Sequence, residues 1–300
     1  MGERRSWCNS RCECWRSRLS RLGSASPPEP AVALRRAAHQ LYDAKPLVFD
    51  DPIAVSILGE RYAEELRRTP VRPDRPFSVA LRAFLVARSR YAEDMLKEAV
   101  AQRVTQYVLL GAGLDTFAHR NPYPGLRVFE VDHPATQSWK RKLLGESKLP
   151  LPTTLVYAPV DFETQSLPVE LRAAGFDTQA STFFAWLGVT PYLTHDAFRS
   201  TIDFIASQPR GSGVVLDYAQ PRSALPFREQ LAYDSLASRV QLVGEPFQLF
   251  FTPPKIAKEL DAFYNLEDMG SDEINSRYFA GRTDKLRALG HGPRLVSAWL

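Results

Sequence analysis

Gln106-Tyr-Val-Leu-Leu-Gly-Ala-Gly-Leu-Asp115 is an apolar run that ends in two glycines. Arg127-Val-Phe-Glu-Val-Asp132 is a second apolar run that ends in a carboxylate. The two tips lie about 20 residues apart, the spacing between a cofactor-cradling turn and a ribose-binding acid. Glycines at a strand tip let the backbone approach a ligand that any Cβ would push away. An acid at the tip of the neighbouring strand can accept hydrogen bonds from two adjacent ribose hydroxyls. Together they predict a site for a nucleoside-containing cofactor.

Two cofactor classes use this arrangement. A dinucleotide needs a third small residue, so that the helix closes on the strand while its N-terminus meets a pyrophosphate. Thr116 occupies that position, which disfavours an NAD(P)-dependent oxidoreductase. S-adenosylmethionine carries no phosphate and makes no such demand. For Gly-x-Gly alone, a tight strand-to-helix turn without a ligand is an equally good account; Asp132 argues for the nucleoside. Glu130 is the rival carboxylate, and strand alternation is expected to direct it elsewhere.

Outward from this core, apolar runs at residues 107–110, 127–131, 154–160, 182–189, 213–218 and 294–299 read as strands buried on both faces. Helical patterns alternate with them, which predicts a mostly parallel, doubly wound α/β sheet with right-handed crossovers. In such sheets ligands bind beyond the carboxyl ends of the strands. The expected pocket therefore gathers Gly111 to Asp115, Asp132, Asp161-Phe162, Thr190 to Tyr192 and Asp217-Tyr218. Residues 31–66 read as helical, broken at Lys45-Pro46 and Asp51-Pro52, and a second helical block spans 77–100. Residues 31–100 are expected to form a cap over the ligand edge, with 101–300 as the sheet core of one domain. Residues 220–265 carry the weakest pattern and read as helices and loops.

Residues 1–30 read as a disordered leader closed by the linker Ser24-Ala-Ser-Pro-Pro-Glu-Pro30. Arg4, Arg5, Arg11, Arg16, Arg18 and Arg21 against Glu3 and Glu13 account for the whole net charge of +4. The rest of the chain is neutral and shows no basic stripe, which argues against nucleic-acid binding. Cys8, Cys12 and Cys14 are the three cysteines, so the body holds neither a disulfide framework nor a thiolate metal site. No apolar stretch reaches the ~20 residues that span a bilayer, and no secretory core follows the arginines. A cytoplasmic location is expected.

Several segments together resemble the leucine carboxyl methyltransferase type of class I S-adenosylmethionine-dependent methyltransferase, which includes O-methyltransferases of polyketide biosynthesis. They are Arg88-Ser-Arg-Tyr-Ala-Glu-Asp94, Leu110-Gly-Ala-Gly-Leu-Asp-Thr116, Phe129-Glu-Val-Asp-His-Pro134 with Lys140, and Val160-Asp-Phe162. Phe183-Phe-Ala-Trp-Leu-Gly-Val-Thr-Pro-Tyr-Leu193 and Tyr278-Phe-Ala-Gly-Arg282 complete the set. The resemblance implies a seven-stranded Rossmann-like methyltransferase sheet and S-adenosyl-L-methionine as cofactor. It assigns Arg88 to the cofactor's methionine carboxylate, Gly111 to the cradle and Asp132 to the ribose. Asp161 and Phe162 resemble the pair around adenine, although Asp161 also suits a helix N-cap. No metal is implied. One departure stands out: related enzymes carry an acid where this chain has Leu187. That disfavours methylation of a protein's C-terminal leucine and favours a small-molecule acceptor.

Methyl transfer from a sulfonium is an in-line displacement, and holding the acceptor oxygen at roughly 3 Å can supply up to ~7–11 kcal/mol. A carboxylate acceptor needs no general base; a phenol or enol gains from one. His119, His133 and His195 are the candidates, each better explained as a surface or capping residue. Thr190, Tyr192 and Tyr218 are candidate walls of the acceptor pocket, and no catalytic residue is assigned. A non-catalytic binding module on the same fold is the remaining alternative, because a fold alone does not establish chemistry.

Overall fold

The computed structural model describes residues 31–68, 76–161, 164–231, 233–234 and 247–300. Seven strands form one sheet: β1 (Gln106–Leu110), β2 (Arg127–Asp132), β3 (Leu155–Pro159), β4 (Thr182–Trp186), β5 (Gly213–Ala219), β6 (Tyr264–Met269) and β7 (Pro293–Trp299). Their order is β3-β2-β1-β4-β5-β7-β6, with β7 antiparallel to both neighbours and the remaining pairs parallel. The chain runs outward from β1 to β3, then returns to β4, so strand direction of travel reverses beside β1. That switch point is where an open α/β sheet forms its ligand crevice.

Both faces of the sheet are covered, which explains why β1 and β4 are buried at every position. On one face Tyr107, Leu109, Phe183, Ala185 and Val215 pack against Phe84, Ala87, Tyr91 and Leu96 of a long helix, Pro76–Ala101. On the other face Val108, Leu110, Phe184, Trp186 and Leu216 meet Phe198, Ile202 and Ile205 of the helix His195–Ala206. Trp186 stacks on Phe198 with ring centroids 5.4 Å apart. Each such buried aromatic or aliphatic side chain contributes about 1.5–3 kcal/mol, so the strand tips project from a rigid frame.

The helix Ala31–Tyr42 and the helix Gly59–Arg68 form a smaller cluster with Leu114, Leu143 and Leu144, next to the glycine turn. Leu143 and Leu144 belong to the helix Pro134–Glu146, which follows β2 and is capped by His133 with proline at its first position. Residues 31–68 thus sit against the turn, whereas the long helix of residues 76–101 lies along a sheet face.

Two differences from the sequence expectation have local causes. The fourth strand stops at Trp186 rather than 189, because Gly188 adopts φ +76° and turns the chain into a short 3-10 helix, Thr190–Tyr192. β6 lies at the edge of the sheet and buries only Met269 fully, so Tyr-Asn-Leu-Glu-Asp-Met carries no apolar run to detect. Residues 220–265 hold the short helix Pro253–Glu259 and the first residues of β6, with 235–246 outside the described residues. Among the described residues no helix is long and apolar enough to cross a membrane.

Candidate functional site

Sheet register brings the predicted tips into one lateral row. Leu110 lies opposite Val131, Leu109 opposite Ala185, and Trp186 opposite Leu216. Continued by one or two residues, these registers align Asp132, Gly111, Leu187 and Asp217 across β2, β1, β4 and β5. Residues in one lateral row point to the same face of the sheet. Gly111 (φ +72°) and Gly113 (φ +49°) make the turn after β1. A Cβ on Gly111 would lie 2.4 Å from Cγ2 of Val189, a contact no side chain tolerates. A Cβ on Gly113 would meet nothing within 4 Å, so that glycine borders open space. Gly111 and Ala112 both donate backbone N–H bonds to the Val131 carbonyl, at 2.9 and 3.0 Å, which locks the turn onto β2.

Asp132 belongs to this turn directly. Its Oδ2 accepts from the Gly113 amide at 2.6 Å and its Oδ1 from the His133 amide at 2.7 Å. Among the described residues it has no ion pair. A carboxylate offers about four acceptor positions, so Asp132 keeps room for two vicinal hydroxyls. Glu130 does not compete, but alternation is not the reason: residues two apart on a strand share a face. Glu130 is fully buried and bound at 2.7 Å to the Lys140 ammonium, which also donates to the Asp115 carbonyl. Burial raises the Glu130 carboxyl above its ordinary pKa, and Lys140 offsets only part of that rise. Burial also works to raise Asp115, yet Arg36, Lys140 and Arg120 outweigh it and hold that carboxyl low. Of the three acids, Asp132 is the one bound only by backbone amides.

At the other end of the row Arg88 and Asp217 form a buried pair, 6% and 7% exposed, with Nη1 2.7 Å from Oδ2. Asp217 Oδ1 accepts from the Gly188 amide at 2.5 Å. Gly188 suits this place: its φ is +76°, and a Cβ would lie 2.8 Å from Nη1 and 3.1 Å from Nη2 of Arg88, so the guanidinium would have to shift. The buried Nε of Arg88 has no hydrogen-bond partner. Among the described residues Nη2 has none either. Nε and Nη2 form the side-on fork with which a guanidinium receives a carboxylate. The sequence placed Asp217 at a strand tip without a role; its bond to Arg88 and its register opposite Leu187 emerge only in the fold.

Asp161 follows β3, two residues beyond the Pro159 that pairs with Asp132. Its carboxylate accepts from Thr164 Oγ1 at 2.8 Å and its amide donates to Gln165 Oε1 at 2.9 Å. It therefore orders a turn ahead of the helix Leu167–Ala173, whose N-cap is Ser166 and not Asp161. Phe162 lies outside the described residues.

The corner at residues 49–52 closes on the glycine turn through ions. Asp51 Oδ2 accepts from Thr116 Oγ1 at 2.7 Å, and its carboxylate lies 3.4 Å from Arg120 and 3.8 Å from Arg36. Arg36 also reaches the Leu114 carbonyl and, at 3.4 Å, the Asp115 carboxylate. Thr116, the residue that spoils a dinucleotide turn, is thus the turn's attachment to the N-terminal helices. Single-sequence inspection carried no sign of this network, because Arg36, Asp51 and the Thr116–Arg120 turn lie on three separate segments.

The five histidines all have structural partners. His39 bonds Asp43, His119 the Pro150 carbonyl, His133 the Ala135 amide, His195 Glu259, and His291 Glu229. Thr190 is buried and donates to the Asp217 carbonyl. Tyr218, also buried, donates to Asp268 at 2.8 Å and is a core residue. Tyr192 is half-buried, its ring 5.3 Å from that of Phe247, and Phe250 and Tyr233 continue the aromatic group. Gln248 donates to the Pro191 carbonyl and Phe251 to the Ala219 carbonyl, which fixes this group beside the ends of β4 and β5. Among the described residues no cluster of three or more His, Cys, Asp or Glu is arranged to hold a metal ion.

Residues 30–206 match the family model described as leucine carboxyl methyltransferase. A Bacillus subtilis protein named "Putative S-adenosyl-L-methionine-dependent methyltransferase YktD" is 34% identical over 281 residues, covering 85% of this chain and 92% of its own. Two solved structures share the fold with TM-scores of 0.53. One is a DUF574 family protein from Streptomyces avermitilis, 16% identical, covering 90% of this chain and 96% of that one. The other, from Thermobifida fusca, is titled a putative methyltransferase; it is 15% identical, with 92% and 99% covered.

Proposed function

We infer the chemistry from one premise: the chain belongs to the leucine carboxyl methyltransferase family. It is an S-adenosylmethionine-dependent methyltransferase. The finer assignment we propose is an O-methyltransferase that acts on a carboxylate or an acidic hydroxyl of a small, polyketide-like molecule in the cytoplasm. Bound at the strand tips, the cofactor supplies a methyl group on a positively charged sulfur.

The residues of the chain fit that cofactor. Asp132, held by two amides with acceptor capacity to spare, takes the ribose hydroxyls. Gly113, whose Cβ position borders open space, gives the close backbone approach, and Gly111 makes the turn that presents it. Arg88 offers its Nε and Nη2 fork to the methionine carboxylate. For the adenine we propose Asp161 and, from the family resemblance alone, Phe162. The carrying observation is the 2.6 Å bond between Asp132 and Gly113, which makes the ribose acid and the cradle one unit.

Each of the five histidines makes a structural hydrogen bond through a ring nitrogen, and none is assigned as a base. The chain's contribution is then binding, orientation and exclusion of water, which suits an acceptor already ionised near neutral pH. The half-buried rings of Tyr192, Tyr233, Phe247 and Phe250 favour a flat, apolar acceptor body.

The test is calorimetric titration of the purified protein with S-adenosylhomocysteine and with NAD, followed by a panel of polyketide acids and phenols. S-adenosylhomocysteine should bind, NAD should not, and one acceptor class should gain a methyl ester or methyl ether. Cofactor binding with no turnover on any oxygen acceptor would remove the O-methyl assignment and leave the family.

A further inference from the structure

The departure at Leu187 has a counterpart one strand away. Continued by one residue, the β4–β5 register sets Leu187 opposite Asp217. Neighbouring strands lie about 4.8 Å apart and their lateral partners share a face. Leu187 packs against the same cluster as Val215, two residues before Asp217 on that face. Asp217 thus reaches the space that a side chain at 187 would reach, from the other side of Gly188.

Asp217 is built in rather than incidental. Oδ1 takes the Gly188 amide, Oδ2 takes Arg88 Nη1, and its own carbonyl takes Thr190 Oγ1. Those bonds hold its carboxylate in one orientation and leave two acceptor positions unused. Beside it the arginine keeps a two-pronged donor edge. One acid with spare acceptors and one guanidinium with spare donors, 2.7 Å apart, are complementary to an α-amino acid zwitterion.

We propose that Asp217 receives the ammonium of the cofactor's amino-acid end while Arg88 receives its carboxylate, so that the acid absent at Leu187 is supplied by β5. This rests on the cofactor assignment above and adds a specificity-determining residue to it. Neutralising Asp217 should cost binding only for ligands that carry the amino-acid end. Arg88 reads the carboxylate of that end but cannot receive its ammonium, because a guanidinium has no acceptor.

The experiment compares S-adenosylhomocysteine with 5′-methylthioadenosine, the same nucleoside without the amino acid, by calorimetry. Asp217→Asn should weaken S-adenosylhomocysteine by about 10- to 100-fold, the loss of one charged hydrogen bond, and leave 5′-methylthioadenosine within about twofold. Moving the acid back with Leu187→Glu/Asp217→Asn should restore S-adenosylhomocysteine to within about fivefold. That double variant again gives Arg88 a carboxylate, and it carries the test if Asp217→Asn alone does not fold. Equal losses for both ligands, or no loss for either, would overturn the assignment of Asp217. If the wild-type protein binds neither nucleoside, the cofactor assignment itself fails and takes this one with it.

Discussion

Gly111 and Gly113 sit two residues apart in one turn, yet the structure assigns them opposite liabilities. Gly111→Ala must hold φ +72° with a side chain, which costs about 1–2 kcal/mol. It must also force a methyl group to 2.4 Å from Val189 Cγ2. Overpacking of that kind adds about 1–3 kcal/mol, so the total is roughly 2–5 kcal/mol of unfolding free energy. Gly113→Ala carries the backbone cost alone, since nothing lies within 4 Å of its Cβ. Its methyl instead occupies the open space at the cradle. Urea unfolding should therefore rank Gly111→Ala as the less stable variant by about 1–3 kcal/mol. S-adenosylhomocysteine titration at equal folded fraction should show the larger affinity loss for Gly113→Ala. Adding Val189→Ala to Gly111→Ala should recover part of the stability, a coupling of about 0.5–3 kcal/mol between touching residues. Equal destabilisation by the two alanines, with no recovery from Val189→Ala, would refute the close contact. Unchanged affinity in Gly113→Ala would show that no ligand passes over the turn.

Three further outcomes follow from the charges. Asp132→Asn should weaken S-adenosylhomocysteine by about 1.5–3 kcal/mol in calorimetry, the value of a hydrogen bond to a charged group; unchanged affinity would take Asp132 out of the site. Lys140→Met leaves Glu130 in the core without its counter-charge and should cost about 3–5 kcal/mol in denaturant titration. Because Glu130 is already raised by burial, that loss should shrink as the pH is lowered toward the ordinary carboxylate range, and Glu130→Gln in the same chain should recover much of it. A loss independent of pH would place the cause elsewhere. Asp43 and Asp115 are both held below their ordinary value of 3.8: burial opposes this, but His39 and Arg82 prevail at Asp43, and Arg36 and Lys140 at Asp115. Their contribution is complete above that value and is lost as pH falls through the depressed ones. Asp43→Asn should lower stability at neutral pH and flatten the acid limb of the unfolding curve; a parallel acid limb would exclude Asp43 from it.

The sequence displayed what depends on runs and tips, and concealed what depends on pairing across the fold. Six strands were visible because burial on both faces of a parallel sheet demands continuous apolar runs. β6 was not, because an edge strand with a single fully buried residue needs no such run. Asp132 and the glycine turn were legible from spacing alone, since the carboxylate and the amide it binds belong to consecutive strand tips. The reason for dismissing Glu130 was not legible: it lies with Lys140, on the next helix, and not with strand alternation. Asp161 was expected to suit a helix N-cap; it orders a turn instead, and the helix it precedes takes Ser166 as its cap.

Leu187 shows most clearly how a linear reading misleads. In sequence it is the loss of an acid, and Asp217 lies far along the chain, beyond a helix and on the next strand. In the sheet the two are lateral neighbours, because parallel strands joined by a crossover bring distant residues to the same level. A binding site built across such tips specifies charge at a place and not at a chain position. The acid can then change strands while the guanidinium opposite stays where it is, provided the backbone between them stays bare. Gly188 is that bare segment: its amide binds Asp217 and its missing side chain makes room for Arg88. Gly188→Ala should accordingly disturb both partners at once, lowering the affinity for S-adenosylhomocysteine more than for 5′-methylthioadenosine. If it lowered both alike, the pair would be part of the scaffold and not of the site.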